Sequence, residues 1–459
     1  MDMINQENQL QDNQEKECSC LAKKEKIIKI SWFLSELLLF IGIVFYALQP
    51  ILVLIGRAYA LPITIYGVFF TSSVVCLIAI FIRFVLFAVL TCSKGNFSAK
   101  EMLDGFLGKW EIFALTLAFI WTMISTAMAE KQNIVWGGNS YNVEGFWAVV
   151  KYGTIFLDAY LIKSAKFKKL FCSTLVISGA IMGAILLLVN IYDIPFYFHF
   201  TRSVYWNSNH YGYALSVSAT LAVGLALYDK KIWKKVLYLL CFGVLHANML
   251  VSDCFGSFMG EICGIIAVVL FYLLKERNKE LLIGILAVVL VFVGVTAVLE
   301  TTRISNVVTE DLLGVVKDTG DITQGEASGS EGSGRWELWV KTIEVIKKVP
   351  LYGKGLDCYY NNNLIDSSLD MPHNEYIQIA SNVGLPTLIF YMSAIIGIYV
   401  RAFLSRREIE KESIICLGAG VGYLVSALFG NTFTYTYPFL LIVLALGMLK
   451  QRRKQCQSS

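Results

Sequence analysis

Residues 281–299 read LLIGILAVVLVFVGVTAVL, an unbroken apolar run without one charged side chain. At about 1.5 Å per residue, a helix of that length matches the hydrocarbon thickness of a bilayer. Lipid offers no partner to backbone N–H and C=O groups, so the run predicts a transmembrane helix that satisfies them internally. Similar runs recur on both sides of it. Eight precede it, at about 30–56, 64–92, 110–129, 145–163, 170–190, 211–228, 236–251 and 257–274. Three follow, at about 377–400, 413–430 and 438–449. The expected fold is an all-α polytopic integral membrane protein of about 12 transmembrane helices.

Composition agrees with that reading. A chain of 459 residues could hold several soluble domains, but 56% of it is hydrophobic and only 16% charged. The net charge of +4 says less than its placement. Lys23, Lys24, Lys26 and Lys29 precede the first run, and basic clusters return at Lys163–Lys169, Lys230–Lys235, Lys275–Lys279, Arg401–Lys411 and Lys450–Lys454. Basic residues gather on the cytoplasmic side of membrane proteins. Tails 1–29 and 450–459 are therefore expected in the cytoplasm. Residues 30–299 would carry spans one to nine, 300–376 one large extracytoplasmic loop, and 377–449 spans ten to twelve.

The lysines serve topology on this reading, so no nucleic-acid binding is expected. A polar tail ahead of the first run argues against a cleavable leader. The 11 cysteines are scattered, and Cys18 with Cys20 is read as incidental, so no disulfide or metal site is implied. With no Walker loop or dinucleotide fingerprint, no cofactor is expected. Glu36, Arg83, Asp158 and Glu261 fall inside spans and should face protein or water.

Residues 334–387, GRWELWVKTIEVIKKVPLYGKGLDCYYNNNLIDSSLDMPHNEYIQIASNVGLPT, are the least membrane-like part of the second half. Trp336, Trp339, Ile343 and Ile346 recur at helical spacing, with Lys341, Glu344, Lys347 and Lys348 elsewhere, which predicts an amphipathic surface helix. Pro350 ends it, and Gly353 with Gly355 makes a turn. Asp370 and Pro372 read as the opening of a further helix, with His373 in its first turn beside the partly positive end of the backbone dipoles. Gly320–Gly334, upstream, is rich in Gly, Ser and acid and reads as a linker.

Arg335 is either an interfacial solvated cation or a guanidinium for phosphate, whose fork suits it better than lysine. Arg202, in another outer loop, and Arg303, just past the end of span nine, raise the same choice. His373, one of 4 histidines, is either a surface group or a general base for a hydroxyl. Glu375, Asp366 and Asp370 are rival bases or orienting groups.

Ser333-Gly334-Arg335, Trp339, Pro350, Gly353-Lys354-Gly355, His373-Asn374 and Gly384 together resemble the O-antigen ligase/polymerase superfamily of bacterial membrane glycosyltransferases. In that family a histidine followed by Asn, Ser or Gln precedes a glycine after a fixed gap, filled here by Glu375 to Val383. Arg202 with Asn207 and Asn209 is similar to the family's segment ahead of a span. The similarity covers roughly Thr201 to Val400. Two positions depart from the pattern. Thr387 stands where a second glycine is common, and Cys254-Phe255-Gly256 stands where Ser-Arg-Gly is frequent.

The resemblance implies transfer of a glycan from a polyprenyl diphosphate carrier to a glycan, lipid or protein acceptor on the outer face of the bacterial cytoplasmic membrane, as in O-antigen, capsule or exopolysaccharide synthesis. It implies His373 as the catalytic base and Arg335, Arg202 and Arg303 at the donor diphosphate. Asn374, Glu375, Trp339 and Gly384 would support them, and no metal is required. Two other classes stay open: a flippase or transporter, and a non-catalytic assembly partner of the same family.

Overall fold

The computed structural model describes residues 2–59, 61–92, 109–139, 143–191, 205, 208–252, 254–325, 331–332, 334–358, 371–431 and 433–448, with side chains from residue 26 on, those of 90–92, 190–191 and 311 excepted. It is 81% helical, with no strand among the described residues. The helices are α1 Asp2–Ala58, α2 Ile65–Cys92, α3 Trp110–Met128, α4 Gln132–Val135, α5 Phe146–Leu161, α6 Ala165–Ile191, α7 Ser208–Tyr228, α8 Ile232–Val251, α9 Phe255–Lys275 and α10 Lys279–Thr301. A π-helical turn, Val307–Asp311, leads into α11 Leu312–Gln324. Then come α12 Arg335–Lys348, α13 Glu375–Val383, α14 Leu385–Leu404, α15 Lys411–Ser426 and α16 Tyr437–Gly447.

Among the described residues, 9 helices are long and apolar enough to cross a membrane: Lys26–Ala58 of α1, Ile65–Val89 of α2, α3, α6, α7, α8, α9, α10 and α14. Three other expected spans fall on α5, α15 and α16, whose 16, 16 and 11 residues are fewer than a full crossing needs. Span ten, expected as one helix over 377–400, is two. The chain breaks at Gly384 into the short α13 and the long α14. The segment expected to be loop from residue 300 is also partly helical, through the π-turn and α11.

The centre of the bundle is α7, of whose membrane window 89% is buried, whereas α10 buries only 11% of its own. The more hydrophobic helix lies outside, because lipid tails solvate apolar side chains as well as protein does. Small residues let the neighbours of α7 close in. Gly260 and Gly264 of α9 cross Gly418 and Gly422 of α15, and a Cβ on Gly264 would stand 3.1 Å from the Gly418 carbonyl oxygen.

The intramembrane charges all meet protein. Arg83 donates to the Trp32 carbonyl at 3.2 Å and lies 4.0 Å over the Trp32 ring. Glu36 accepts from the N–H groups of Lys163 and Ser164 at the start of α6. Asp158 is fully buried, and Glu261 pairs with His246 at 3.1 Å.

One end of the bundle is basic and paired. Lys168 meets Glu410 at 3.0 Å, Lys169 meets Asp229 at 2.7 Å, Lys411 meets Glu276 at 2.6 Å, and Arg401 grips Glu111 with two nitrogens. The opposite end gathers residues 129–139, 143–145, 349–358, 371–374, 427–431 and 433–436. There the Trp121 indole donates to the Leu351 carbonyl at 2.8 Å, joining α3 to the turn after α12.

Candidate functional site

The site is built around α13. Asn374 is its N-cap, and the side-chain oxygen accepts from the N–H groups of Tyr376 and Ile377, each at 3.1 Å. The helix therefore begins at Glu375. His373, expected in its first turn, stands one residue ahead of the cap, and Asp366 and Asp370 lie outside the described residues. At the other end, Lys354 N–H donates to Ser381 O and Gly355 N–H to Asn382 O, both at 2.8 Å. The Gly353-Lys354-Gly355 turn thus satisfies carbonyls that a helix end leaves open. Gly384, at φ 88°, ends the helix, and a Cβ there would overlap the Leu351 carbonyl oxygen. Its support for the site is geometric: it lets the turn pass against the break. Thr387 donates its hydroxyl to Val383 O at 3.2 Å, so the departure from glycine at that position is accommodated within α14.

His373 has φ 48°, in the left-handed region that non-glycine residues rarely enter. Such a conformation persists only where its surroundings over-determine it. Here Trp339 of α12 donates its indole N–H to Pro372 O at 2.7 Å, Asn374 caps the following helix, and Glu375 N–H donates to Ala427 O at 2.9 Å. The ring is half-buried, with Nδ1 3.5 Å from Nδ2 of Asn431. His210 on α7 is within electrostatic range of it and packs against Phe433 and Tyr435, with ring centroids 4.9 and 5.0 Å away.

Glu375 points inward and is fully buried, within 3.4 Å of the Tyr391 hydroxyl and 3.5 Å of the Tyr423 hydroxyl. Tyr213 of α7 packs against Tyr423 with centroids 4.6 Å apart and the rings tilted by 35°, and its own hydroxyl is buried without a hydrogen-bond partner among the described residues. Both Glu375 and Arg335 lie within electrostatic range of Tyr213.

Arg335 is the first residue of α12, half-buried, and makes no ion pair with any described residue. The helix is where the sequence predicts it, but its inward face differs. Thr342 and Val345 are buried beside Trp339, while Ile343 is 41% exposed. Arg303 is exposed just beyond α10, at φ 56°, and no contact among the described residues joins it to the His373 segment. Arg202, Asn207 and Ser333 lie outside the described residues. Asn209 accepts from the Cys254 thiol at 3.3 Å, which draws the start of α9, with Phe255 and Gly256, towards the start of α7.

Beside α13 is a cavity of about 210 Å³. Its walls are mostly apolar, Leu115, Phe156, Ile398 and Leu444 among them, and Glu144, Asp357 and Gln378 also line it. Asp357 accepts from the backbone and side-chain N–H groups of Asn139 at 2.7 and 2.8 Å and from Glu144 N–H at 3.1 Å. Glu144 in turn accepts from the Tyr152 hydroxyl and the Thr434 N–H, both at 2.6 Å. Burial pushes its carboxyl up to about 8, although these hydrogen bonds pull the other way. Among the described residues, no three His, Cys, Asp or Glu side chains converge in a way that could hold a metal ion.

Asn431, His210, Tyr213, Glu144 and Asp357 are the site's residues that the sequence reading passed over. The signal for the first was the polar and aromatic run Asn431–Tyr437, set between two apolar stretches. It reads as a plain turn until its neighbours are known.

No curated protein matches the chain in sequence. Residues 255–392 match the family model described as O-antigen ligase. That segment carries Arg303, Arg335, Trp339, His373, Asn374, Glu375 and Gly384, and over those residues the chain is similar to the O-antigen ligase family.

Proposed function

We propose that the protein transfers a glycan from a polyprenyl diphosphate carrier to an acceptor hydroxyl at the outer surface of a bacterial cytoplasmic membrane. The observation that carries this reading is His373, fixed in a left-handed backbone by Trp339, Asn374 and Ala427, at the same end of the bundle as Arg335, which makes no ion pair among the described residues. His373 takes the proton of the acceptor hydroxyl as its oxygen attacks the anomeric carbon of the donor sugar. The bond from that carbon to the diphosphate breaks, and the diphosphate leaves with the electron pair. Arg335 neutralises the charge that develops there. Arg202 and Arg303 are the other cations proposed for the diphosphate. The largely apolar cavity beside α13 has room for part of an isoprenoid chain.

The orientation proposed puts the paired basic end in the cytoplasm, along with both termini, and His373 outside. In intact cells, an impermeant thiol reagent should label a cysteine at Asn362 and spare one at Lys234, on a background without native cysteines. Labelling at 234 with protection at 362 reverses the topology.

The reaction is tested by reconstituting the full chain in bilayers with a lipid-linked oligosaccharide and sizing the products. A ladder of repeats identifies a polymerase, and a single addition to a different acceptor identifies a ligase. Unconsumed donor under both conditions refutes transfer and favours an assembly role.

A further inference from the structure

We infer that Asn431 is the positioning residue of His373: its side-chain carbonyl holds the proton on Nδ1 and leaves Nε2 with the lone pair that receives the acceptor's proton. The inference rests on the base role proposed for His373 and adds a residue outside the family segment 255–392.

The argument begins with two atoms of one amide. Asn431 is 5% exposed, and its Nδ2 lies 3.5 Å from His373 Nδ1, while its Oδ1 is buried with no hydrogen-bond partner among the described residues. The two ends of a side-chain amide are nearly the same size, and a half turn about its last torsion exchanges them. With Nδ2 inward, the amide donates to Nδ1. A neutral imidazole must then carry its proton on Nε2, and a ring presenting N–H to a hydroxyl cannot take its proton. The same orientation strands Oδ1 away from water, which is unfavourable for a buried carbonyl.

The half turn removes both problems. Oδ1 accepts from Nδ1–H, and Nε2 is the ring nitrogen left as an acceptor. When Nε2 takes the hydroxyl proton, the ring becomes imidazolium, and its Nδ1–H bond to Oδ1 strengthens as the charge develops. The hydroxyl's electron pair forms the bond to the anomeric carbon, and the carrier diphosphate leaves with the pair of the broken bond.

The turn that carries Asn431 is held from several sides. Thr434 N–H is bonded to Glu144, the Tyr435 carbonyl accepts from Gln49 Nε2 at 3.5 Å, and Phe433 and Tyr435 pack on His210. Gly430 lies against Tyr213, whose hydroxyl would be 2.6 Å from a Cβ at that position. The amide is thus presented to His373 by a rigid turn. The titratable and charged groups around the ring are His210 on α7, Glu375 two residues along, and Arg335 one helical turn before Trp339.

The test measures transfer by the full reconstituted chain across about pH 5.5–8.5, the range in which an imidazole titrates. Asn431→Leu keeps the size and removes the amide. It should lose about 10–100-fold in kcat, the loss of one hydrogen bond to a developing charge, with the donor KM within about twofold. Asn431→Asp keeps an oxygen for Nδ1–H and adds charge beside it. It should stay active, with the acidic limb of its profile moved to higher pH, because a carboxylate favours the imidazolium.

Near-parent kcat in Asn431→Leu overturns the inference. So does Asn431→Asp with either an unmoved acidic limb or the same loss as Asn431→Leu. If Asn431→Leu does not accumulate, the shifted limb of Asn431→Asp decides. His373→Gln separates the two levels. An active His373→Gln removes the base role and this inference with it, whereas an inactive His373→Gln beside a parent-like Asn431→Leu removes the inference alone.

Discussion

The two ends of the bundle treat their polar groups in opposite ways. At the basic end, Lys168, Lys169, Lys411 and Arg401 each meet a carboxylate, and Glu36 caps the start of α6. At the His373 end, Arg335 forms no ion pair, and Tyr213 Oη and Asn431 Oδ1 are buried with no hydrogen-bond partner, all among the described residues. A buried polar atom left unsatisfied costs about 1–3 kcal/mol, so folding alone would not favour collecting several in one place. The contrast separates the end closed by ion pairs from the end where the transfer chemistry is proposed.

The largest test of that contrast is His373. His373→Ala and His373→Gln should each accumulate and bind donor, yet lose at least roughly 10²-fold in transfer rate, because an amide can accept a hydrogen bond but not the proton. Equal amounts of purified protein in the transfer assay decide this, and near-parent activity in His373→Gln would leave the ring as an orienting group at most.

Arg335→Lys comes next. It keeps the charge but not the planar fork, and should lose about 10-fold in kcat/KM for the donor. Lys317→Ala, at an exposed position on α11, should be nearly silent. An Arg335→Lys enzyme that handles donor like the parent rules out bidentate phosphate binding.

The opposite end should respond in stability and not in rate. Arg401→Gln leaves the Glu111 carboxylate, 1% exposed, without its cation. Because Arg401 itself is 39% exposed, water softens the loss to about 2 kcal/mol, read as a lower melting temperature in detergent. Turnover per folded molecule should stay within about twofold of the parent. A rate loss as large as that of Arg335→Lys, without melting, would mean that the two ends are coupled.

The smallest effect is expected at Glu144. Its carboxyl, raised to about 8 from 4.5, keeps a proton in the folded state that the unfolded chain releases. The folded state binds more protons between those values, so this group's contribution is fullest below the unfolded value and declines as pH rises towards about 8. Glu144→Gln, which is neutral at every pH, should flatten that part of the melting temperature's pH dependence. An unchanged slope would show that the carboxyl is ionised throughout the range.

Much of the site was legible because it depends on local rules. An apolar period of helical length gives α12, proline and paired glycines give the turn after it, and the His373-Asn374 to Gly384 spacing marks α13. Boundaries were less legible. Asn374, two residues beyond Pro372, competes for the same cap, and its oxygen reaches two N–H groups where the proline offers only a fixed φ. Which stripe of α12 meets protein was not legible, because periodicity alone does not choose between adjacent ones: Thr342 and Val345 are buried while Ile343 is 41% exposed.

The sequence by itself determined that the chain crosses a membrane repeatedly, since runs such as 281–299 leave the backbone no other way to satisfy its hydrogen bonds. It also determined the asymmetry of charge and the order of the motifs around His373. Tertiary structure decided which helix is central. Hydropathy favours α10 and packing chose α7, because lipid and protein solvate apolar side chains about equally and small residues control close approach. It also decided what His373 faces. Asn431 and His210 are distant from it in sequence, and only the tertiary fold brings α7 and the segment that carries Asn431 to the ring.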